Sequence, residues 1–347
     1  MRKDLEQLCC LDGVSGREGK IRDYIFSQIK DVAQCRVDAL GNLIVFKKGA
    51  VTPRNKIMLA AHMDEVGLII TYITDDGYLK FTSVGGIDTR VMLGRCVAVG
   101  DKKIPGVIGV VPIHMVKEDE KATIPAADSL YIDIGAADKE DAEKHVKPGD
   151  TAHFDSDFIS FGEGLIKARA LDDRVGCALL IEMIKSELPY DMHFAFTVQE
   201  EVGLRGAKTA AYSVEPDYAI VVETTTAADI AGVAKEKQVC KLGQGAVISF
   251  MDRSTLYNRE LYDLAFELAE KHGIQVQPKT VVAGGNDAGV IHTSRGGVRT
   301  LTVSLPCRYL HSASGVICEA DIAEVSRIVF ALAEDFANAE TAEVGGR

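Results

Sequence analysis

The sequence predicts an α/β protein: a mostly parallel central sheet with helices on both faces, interrupted by a small all-β insertion domain. Three observations predict it. Strand-like apolar runs alternate with amphipathic, helix-length segments near both ends of the 347-residue chain, and such alternation implies a largely parallel sheet covered on both faces. Between about 72 and 163 the texture changes to short apolar runs, YLKFTSV, RCVAVG and GVIGVV, separated by Gly, Asp and Lys clusters. One helix-like piece, DKEDAEKHV, is the exception in a stretch that otherwise reads as an all-β unit. From 164 the alternation resumes, so 1–71 and 164–347 form one α/β domain and 72–163 its insertion.

The elements follow in order. SGREGKIRDYIFSQIK (15–30) puts Ile21, Tyr24, Ile25 and Ile29 on one helical face, with Ser15 as candidate cap. NLIVF (42–46) and KIMLAA (56–61) read as strands. The helix after LDDR carries Val175, Leu179, Leu180, Met183 and Ile184 at helical spacing. The strands MHFAFTV and YAIVV come next, then a helix at 258–272, the strand VRTLTVS (298–304) and a last helix near 320–336. No internal repeat or low-complexity tract interrupts this order.

Composition narrows the function classes. A net charge of −12 and a pI near 5.2 exclude nucleic acid and anionic membranes as partners, since neither attracts an acidic surface. The start, MRKDLEQLCC, is too charged for a signal peptide, and no apolar run approaches a membrane span. Cysteines at 9, 10, 35, 96, 177, 240, 307 and 318 contain no CxxC pair. That scatter fits reduced thiols in the cytoplasm, although a vicinal Cys9–Cys10 bridge is conceivable.

Five strand ends finish in metal-type ligands. KIMLAA runs into His62 and Asp64; IKARA leads to Asp172; MHFAFTVQ delivers Glu200 and Glu201; YAIVV delivers Glu223; and VRTLTVSLPCRYL delivers His311. In open α/β sheets, ligands gather outside the carboxyl ends of the strands, so these residues can converge. Imidazoles with carboxylates suit zinc, cobalt or manganese. His62 and Asp64, two apart, point to one side of an extended segment, which lets Asp64 orient the ring. Glu200 and Glu201 point apart, so one can face a metal and the other the substrate water. Charge balance favours two ions, because Asp172, Glu201 and Glu223 supply three negative charges that a dinuclear divalent site with a bridging hydroxide neutralises.

The stretches AAHMDEVG (60–67), KARALDDRVGC (167–177), VQEEVGLRGA (198–207), GGNDAG (284–289) and RYLHS (308–312), with SVGGID (83–88) in the insertion, occur in one order across essentially the whole chain. In these the chain resembles the tetrahedral (TET) dinuclear metalloaminopeptidases, the glutamyl aminopeptidase-like family with a zinc-peptidase-like fold. The resemblance implies that His62, Asp172 and Glu223 bind one divalent ion and Asp172, Glu201 and His311 a second, with Asp172 bridging. It makes Glu200 the general base and Asp64 the support of His62, and it implies a cis peptide at Asp172–Asp173. Family members often carry Asp where Glu223 stands. The implied cofactors are two divalent metal ions per subunit, zinc first, cobalt or manganese otherwise. The implied activity is removal of N-terminal residues from peptide substrates, in a homo-oligomer, a hollow tetrahedral dodecamer built from dimers through the β insertion.

Other readings stand beside this one: a two-metal amidase or deacylase, a carboxypeptidase, or a non-catalytic metal-binding assembly protein. Taken singly, LDDR reads as a helix N-terminus, and Glu200–Glu201 as acids favoured by a helix dipole. His114, His145, His153, His193, His272 and His292 are expected to be surface or structural. GGNDAG is expected to start a helix through Asn286 or Asp287, with a secondary role for Asp287 near the site as the other reading, GVIGVV to be core strand and SVGGID a turn.

Overall fold

The computed structural model describes residues 1–119 and 121–340. The chain opens with α1 (Arg2–Cys10), α2 (Gly19–Ile29), β1 (Gln34–Val37), β2 (Leu43–Lys47) and β3 (Ile57–His62). It then crosses into β4 (Gly67–Ile73), β5 (Leu79–Val84), β6 (Cys96–Val99), β7 (Ile104–Gly109), β8 (Tyr131–Asp133), a short α3 (Lys139–Glu143) and β9 (Thr151–Phe154). It returns through β10 (Ile159–Phe161) and β11 (Leu165–Ala168) to α4 (Leu171–Lys185), β12 (Met192–Thr197), α5 (Arg205–Val214) and β13 (Tyr218–Thr226). The last section holds β14 (Ala246–Ile248), α6 (Arg259–His272), β15 (Val276–Pro278), α7 (Ala288–Ile291), β16 (Arg299–Cys307), β17 (Gly315–Cys318) and α8 (Glu319–Asn338).

The main sheet has eight strands in the order β1-β2-β12-β3-β13-β16-β14-β15. Its centre, β12-β3-β13-β16, is parallel. The flanks are less regular: β1, β2 and β12 pair antiparallel, β14 runs antiparallel to β16, and β15 is parallel to β14. The sheet is therefore mixed. The physical reason at one edge is a hairpin, since a connection as short as Asp38–Asn42 can join only antiparallel strands. β3 is buried along its whole length and β13 along all but its last residue; because successive side chains alternate in direction, both sheet faces are covered. α4 packs on β3 and β13, while α8 packs on β16, β14 and β13.

β4-β5-β8-β7-β6-β9 close into a six-stranded barrel with its own apolar core, which includes Leu68, Phe81, Val97, Ile108 and Ile132. Position 72 lies inside β4, and β10 pairs with β11, which in turn pairs with β17, in a three-stranded sheet separate from the barrel. GVIGVV contributes to β7, and SVGGID is the end of β5 and the turn after it. Among the described residues no helix is long and apolar enough to cross a membrane. All eight cysteines are free, Cys9 buried and Cys10 exposed.

α2 departs from the expected cap. It starts at Gly19, and Ser15 donates its hydroxyl to Asp64 Oδ2 at 2.6 Å instead of capping. The Glu18 carboxylate takes the nearby amides, accepting from Gly16 N at 2.7 Å and from Gln199 N at 3.1 Å. In the GGNDAG helix Asp287 holds the N-cap position without a side-chain cap hydrogen bond, and Asn286 before it accepts from Ala288 N through Oδ1 at 2.9 Å.

Candidate active site

Parallel β12, β3, β13 and β16 end on the same side of the sheet, and their ends carry the candidate residues. β3 finishes at His62; β12 runs through Gln199, which has φ 55°, into Glu200 and Glu201; Glu223 lies within β13. Asp172 follows β11 at the start of α4, where Asp172 and Asp173 are non-helical and their peptide bond is cis. His311, with φ 55°, sits in the turn between β16 and β17.

Asp172 lies between the two histidines. Its Oδ1 is 3.3 Å from His62 Nε2 and its Oδ2 3.2 Å from His311 Nε2. Glu223 Oε1 is 3.5 Å from His62 Nε2, and Glu201 Oε1 is 3.2 Å from His311 Nε2. Each ring is anchored through its other nitrogen: His62 Nδ1–H donates to the Asp64 carbonyl and His311 Nδ1–H to the Gly86 carbonyl, both at 3.0 Å. With Nδ1–H so engaged, each Nε2 is left facing carboxylates, which is the arrangement a metal-ligating histidine needs.

The Asp64 carboxylate does more than face His62, whose Nδ1 is 3.5 Å from its Oδ1. Oδ1 also accepts from Glu200 N at 2.9 Å and Oδ2 from Glu201 N at 3.2 Å. One buried aspartate thus holds both the imidazole and the backbone of the glutamate pair. Burial would raise its pKa, but these contacts outweigh burial and hold it below the ordinary range.

The electrostatics are those of crowded acids. Burial raises Glu223 to about 8, opposed by His62 and reinforced by Asp172. Burial also raises Glu200 well above its usual range, with Glu223, Asp287 and Glu201 adding to the effect. Asp173 is raised well above its range, first by burial and then by Glu223. Asp172 goes the other way, because hydrogen bonds from His311 and His62 overcome burial. The same carboxylates lift His311 to about 11 against the effect of burial. Asp173 Oδ2 and Asp287 Oδ1 are buried without a hydrogen-bond partner. Buried carboxylates in such excess call for bound cations. Ligand atoms of His62, Asp172 and Glu201, and of His62, Asp173 and Glu223, lie within 4.8 Å of one another. The mixed imidazole and carboxylate donor set fits divalent metal ions.

The cluster opens on a cavity of about 370 Å³ lined also by Gly86, Thr224, Thr225, Thr226, Lys279 and Asn286. Several of these gave no signal as site residues. SVGGID reads as a turn, yet the Gly86 carbonyl fixes His311. Asp287, raised by burial to about 6, accepts from Thr197 Oγ1 at 2.6 Å beneath the β12 end. The repeated threonines after Glu223 were the only visible hint of a polar wall. Of the remaining histidines, His153 is buried in β9, and His114, His145 and His272 are exposed.

The profile of the M42 glutamyl aminopeptidase family matches residues 41–328. The chain belongs to this family. M42 enzymes are metallopeptidases, and the chain is an aminopeptidase that hydrolyses peptide bonds. It is 41% identical over 321 residues to a putative aminopeptidase of Acetivibrio thermocellus, covering 92% of this chain and 94% of that one. A lysyl aminopeptidase of Pyrococcus furiosus is 35% identical, over 93% of this chain and 94% of its own. Among solved structures, the TET1 peptidase of Pyrococcus horikoshii, described as able to assemble into a tetrahedron or a large octahedral shell, superimposes with TM-score 0.84. Its identity to this M42 chain is 40%, covering 96% of this chain and 98% of the TET1 chain.

Proposed function

We propose that this M42 chain removes N-terminal residues from peptides at two divalent metal ions, zinc first and cobalt or manganese otherwise. His62, Asp172 and Glu223 would hold one ion, and Asp172, Glu201 and His311 the other. The observation that carries this reading is Asp172 between two anchored imidazoles, one oxygen toward each. When bound, the ions supply a water of lowered pKa and polarise the scissile carbonyl.

The protein's own residues do the rest. Glu200, a residue of the cavity wall, accepts the proton released by the attacking water and returns it to the leaving amine. Glu201 faces His311 and acts as a ligand, so the paired glutamates divide the work. Asp64 keeps the Glu200 and Glu201 amides fixed while orienting His62. Asp173 borders the cluster, with a carboxylate oxygen within 4.8 Å of the ligand atoms of His62 and Glu223.

The test combines one variant with one count. Glu200→Gln should keep two metal ions per chain by elemental analysis yet lose about 10²–10⁴ in kcat, the range of general-base catalysis. Full activity in that variant overturns the role. A chelator should abolish turnover and added zinc, cobalt or manganese restore it. Free N-termini should be cleaved and N-acetylated ones refused, whereas a two-metal amidase or deacylase would show the reverse.

The wider setting is part of the same proposal. By analogy with the TET1 peptidase, the chain assembles as a tetrahedral dodecamer, with the β unit around 72–163 supplying dimer contacts. The eight free thiols fit a cytoplasmic protein.

A further inference from the structure

A second cavity, of about 380 Å³, lies in the cleft between the barrel and the α/β domain. It shares no wall residue with the candidate active-site cavity. The start of α2 forms one side, with Arg17, Gly19, Lys20 and Arg22. Thr151 and His153 of β9 face it from the barrel, two apart and therefore on one face of the strand.

Three kinds of hydrogen-bond donor stand unused there. The first hydrogen bond of α2 runs from Arg22 N–H to Glu18 O, and Glu18 supplies no side-chain cap. The Gly19 and Lys20 amides are thus left without a partner at the positive end of an 11-residue helix. Arg17 makes one contact, from Nη2 to the Gly149 carbonyl at 3.5 Å. Arg22 binds Asp23 through Nε and Nη2, which leaves Nη1 open. His153 is the third. The residue is only 7% exposed, yet neither ring nitrogen has a hydrogen-bond partner among the described residues, and neither is sealed from solvent. The little surface it keeps therefore opens into the cavity whose wall it joins. Burial lowers its pKa to about 4, so the neutral ring carries one N–H to donate.

The acids of the same wall are already matched. Asp12 pairs with Lys20 at 2.8 Å and Lys103 at 3.5 Å, and fully exposed Asp101 lies 3.9 Å from Lys20. Glu18 accepts from the Gly16 and Gln199 amides. Arg17 is left without a carboxylate among the described residues. The groups of potential metal ligands lie elsewhere. Open guanidinium, amide and imidazole donors call for an anion. A carboxylate offers two oxygens in one plane, whereas a tetrahedral phosphate can meet donors from both sides of the cleft.

We propose that this cleft binds a phosphate group, free or carried by a small molecule, through Arg17, Arg22, the first amides of α2 and His153. Bound there, it joins the barrel to the α/β domain, since His153 comes from β9 and the other donors come from the start of α2. The site stands apart from the aminopeptidase reading, because no candidate metal ligand lines it.

The experiment titrates inorganic phosphate by calorimetry into the full chain, once loaded with zinc and once stripped by a chelator. A site of equal affinity should be present in both states. A phosphate signal that vanishes on stripping belongs to the metal cluster and overturns the proposal. The double variant Arg17→Ala, Arg22→Ala should weaken binding about tenfold or more, the scale of a lost charge-assisted hydrogen bond; unchanged affinity overturns the proposal. Phosphate should also raise Tm over sodium chloride of equal ionic strength, an increment lost in the double variant, whose exposed positions leave the fold intact. His153→Leu should weaken phosphate without abolishing it, and wild-type affinity in that variant removes the barrel from the site and overturns the bridge. Glycerol 3-phosphate separates the two sources: tighter binding than inorganic phosphate assigns the cleft to a phosphomonoester, and weaker binding to the free ion. Acetate or free leucine binding as tightly as phosphate places a carboxylate there and overturns the phosphate class. None of these readouts uses turnover, so the proposal fails or stands separately from the peptidase mechanism.

Discussion

At the residue scale, the candidate side chains were legible because each stands in or just after an apolar strand run, where a charge needs a reason. His62, Asp172, Glu200, Glu201, Glu223 and His311 come together as that logic requires. What stayed hidden depends on atoms instead of residue types. That Asp64 serves two backbone amides, or that Ser15 serves Asp64, has no periodic signature. The same holds for the buried ion cluster behind the site. Glu65 accepts from Arg169 at 2.6 Å, from Arg174 at 3.3 Å and from Gly13 N at 3.0 Å, with Arg174 fully buried. Removing one member leaves charge uncompensated, so Glu65→Gln should cost about 3–5 kcal/mol in chemical denaturation; a loss under 1 kcal/mol would contradict that account. His153 borders the same cluster. Burial lowers its pKa to about 4, with Arg169 and Lys103 adding to the effect and Glu65 and Asp12 opposing it. The unfolded chain protonates this histidine near 6.5, so between those values the unfolded state binds more protons. Stability should therefore fall as pH drops from about 6.5 to about 4, by about 3 kcal/mol, with no contribution above that window. His153→Gln should remove this component, seen as a stability difference from wild type that is flat above pH 7 and changes below it.

At the element scale, hydrophobic periodicity located strands and helices well and their partners poorly. MHFAFTV, YAIVV and VRTLTVS became three of the four parallel central strands, because continuous apolar runs suit strands buried on both faces. The antiparallel flanks were missed: β14 and β15 have three residues each, too short for a period to register. Junctions between elements also escaped the pattern. The start of α5 sits against the β12 end, with Asn42 Nδ2 donating to Gly206 O and Asn42 Oδ1 accepting from Val198 N, both at 2.9 Å. A Cβ on Gly206 would fall 2.3 Å from Asn42 Oδ1 and 2.4 Å from Val198 O. Gly206→Ala must therefore push α5 from the sheet, at about 1–3 kcal/mol. Because Val198 leads directly into Glu200 and Glu201, turnover should fall as well. A urea midpoint and kcat at wild-type values would show that the junction relaxes without consequence.

At the scale of the whole molecule, the chain sets a deep acidic site on a rigid sheet and carries a barrel that has a core of its own. The change of texture after β3 announced that unit, since short strands between Gly and Asp clusters cannot extend a parallel sheet. Its outer surface is less ordinary than its core. Ile113 is 62%, Met115 71% and Ile124 57% exposed, and Val107 and Val111 are exposed nearby in sequence. On a protein with a net charge of −12, large apolar side chains gathered on one unit are a mark of a contact surface rather than of free solvent. The proposed dodecamer would cover them, and it predicts a light-scattering mass near twelve times 37.4 kDa. Introducing charge there separates assembly from catalysis, since Ile113 and Met115 line neither the candidate cavity nor its groups of potential metal ligands. The double variant Ile113→Asp, Met115→Asp should therefore lose the large species while retaining hydrolysis of a single-residue chromogenic substrate. Long peptides provide the contrasting measurement, because a closed shell admits only chains that can thread its openings. If the variant cleaves folded or long substrates no better than wild type while running as a smaller particle, the shell does not select substrates; an unchanged mass would place the assembly contacts elsewhere on the chain.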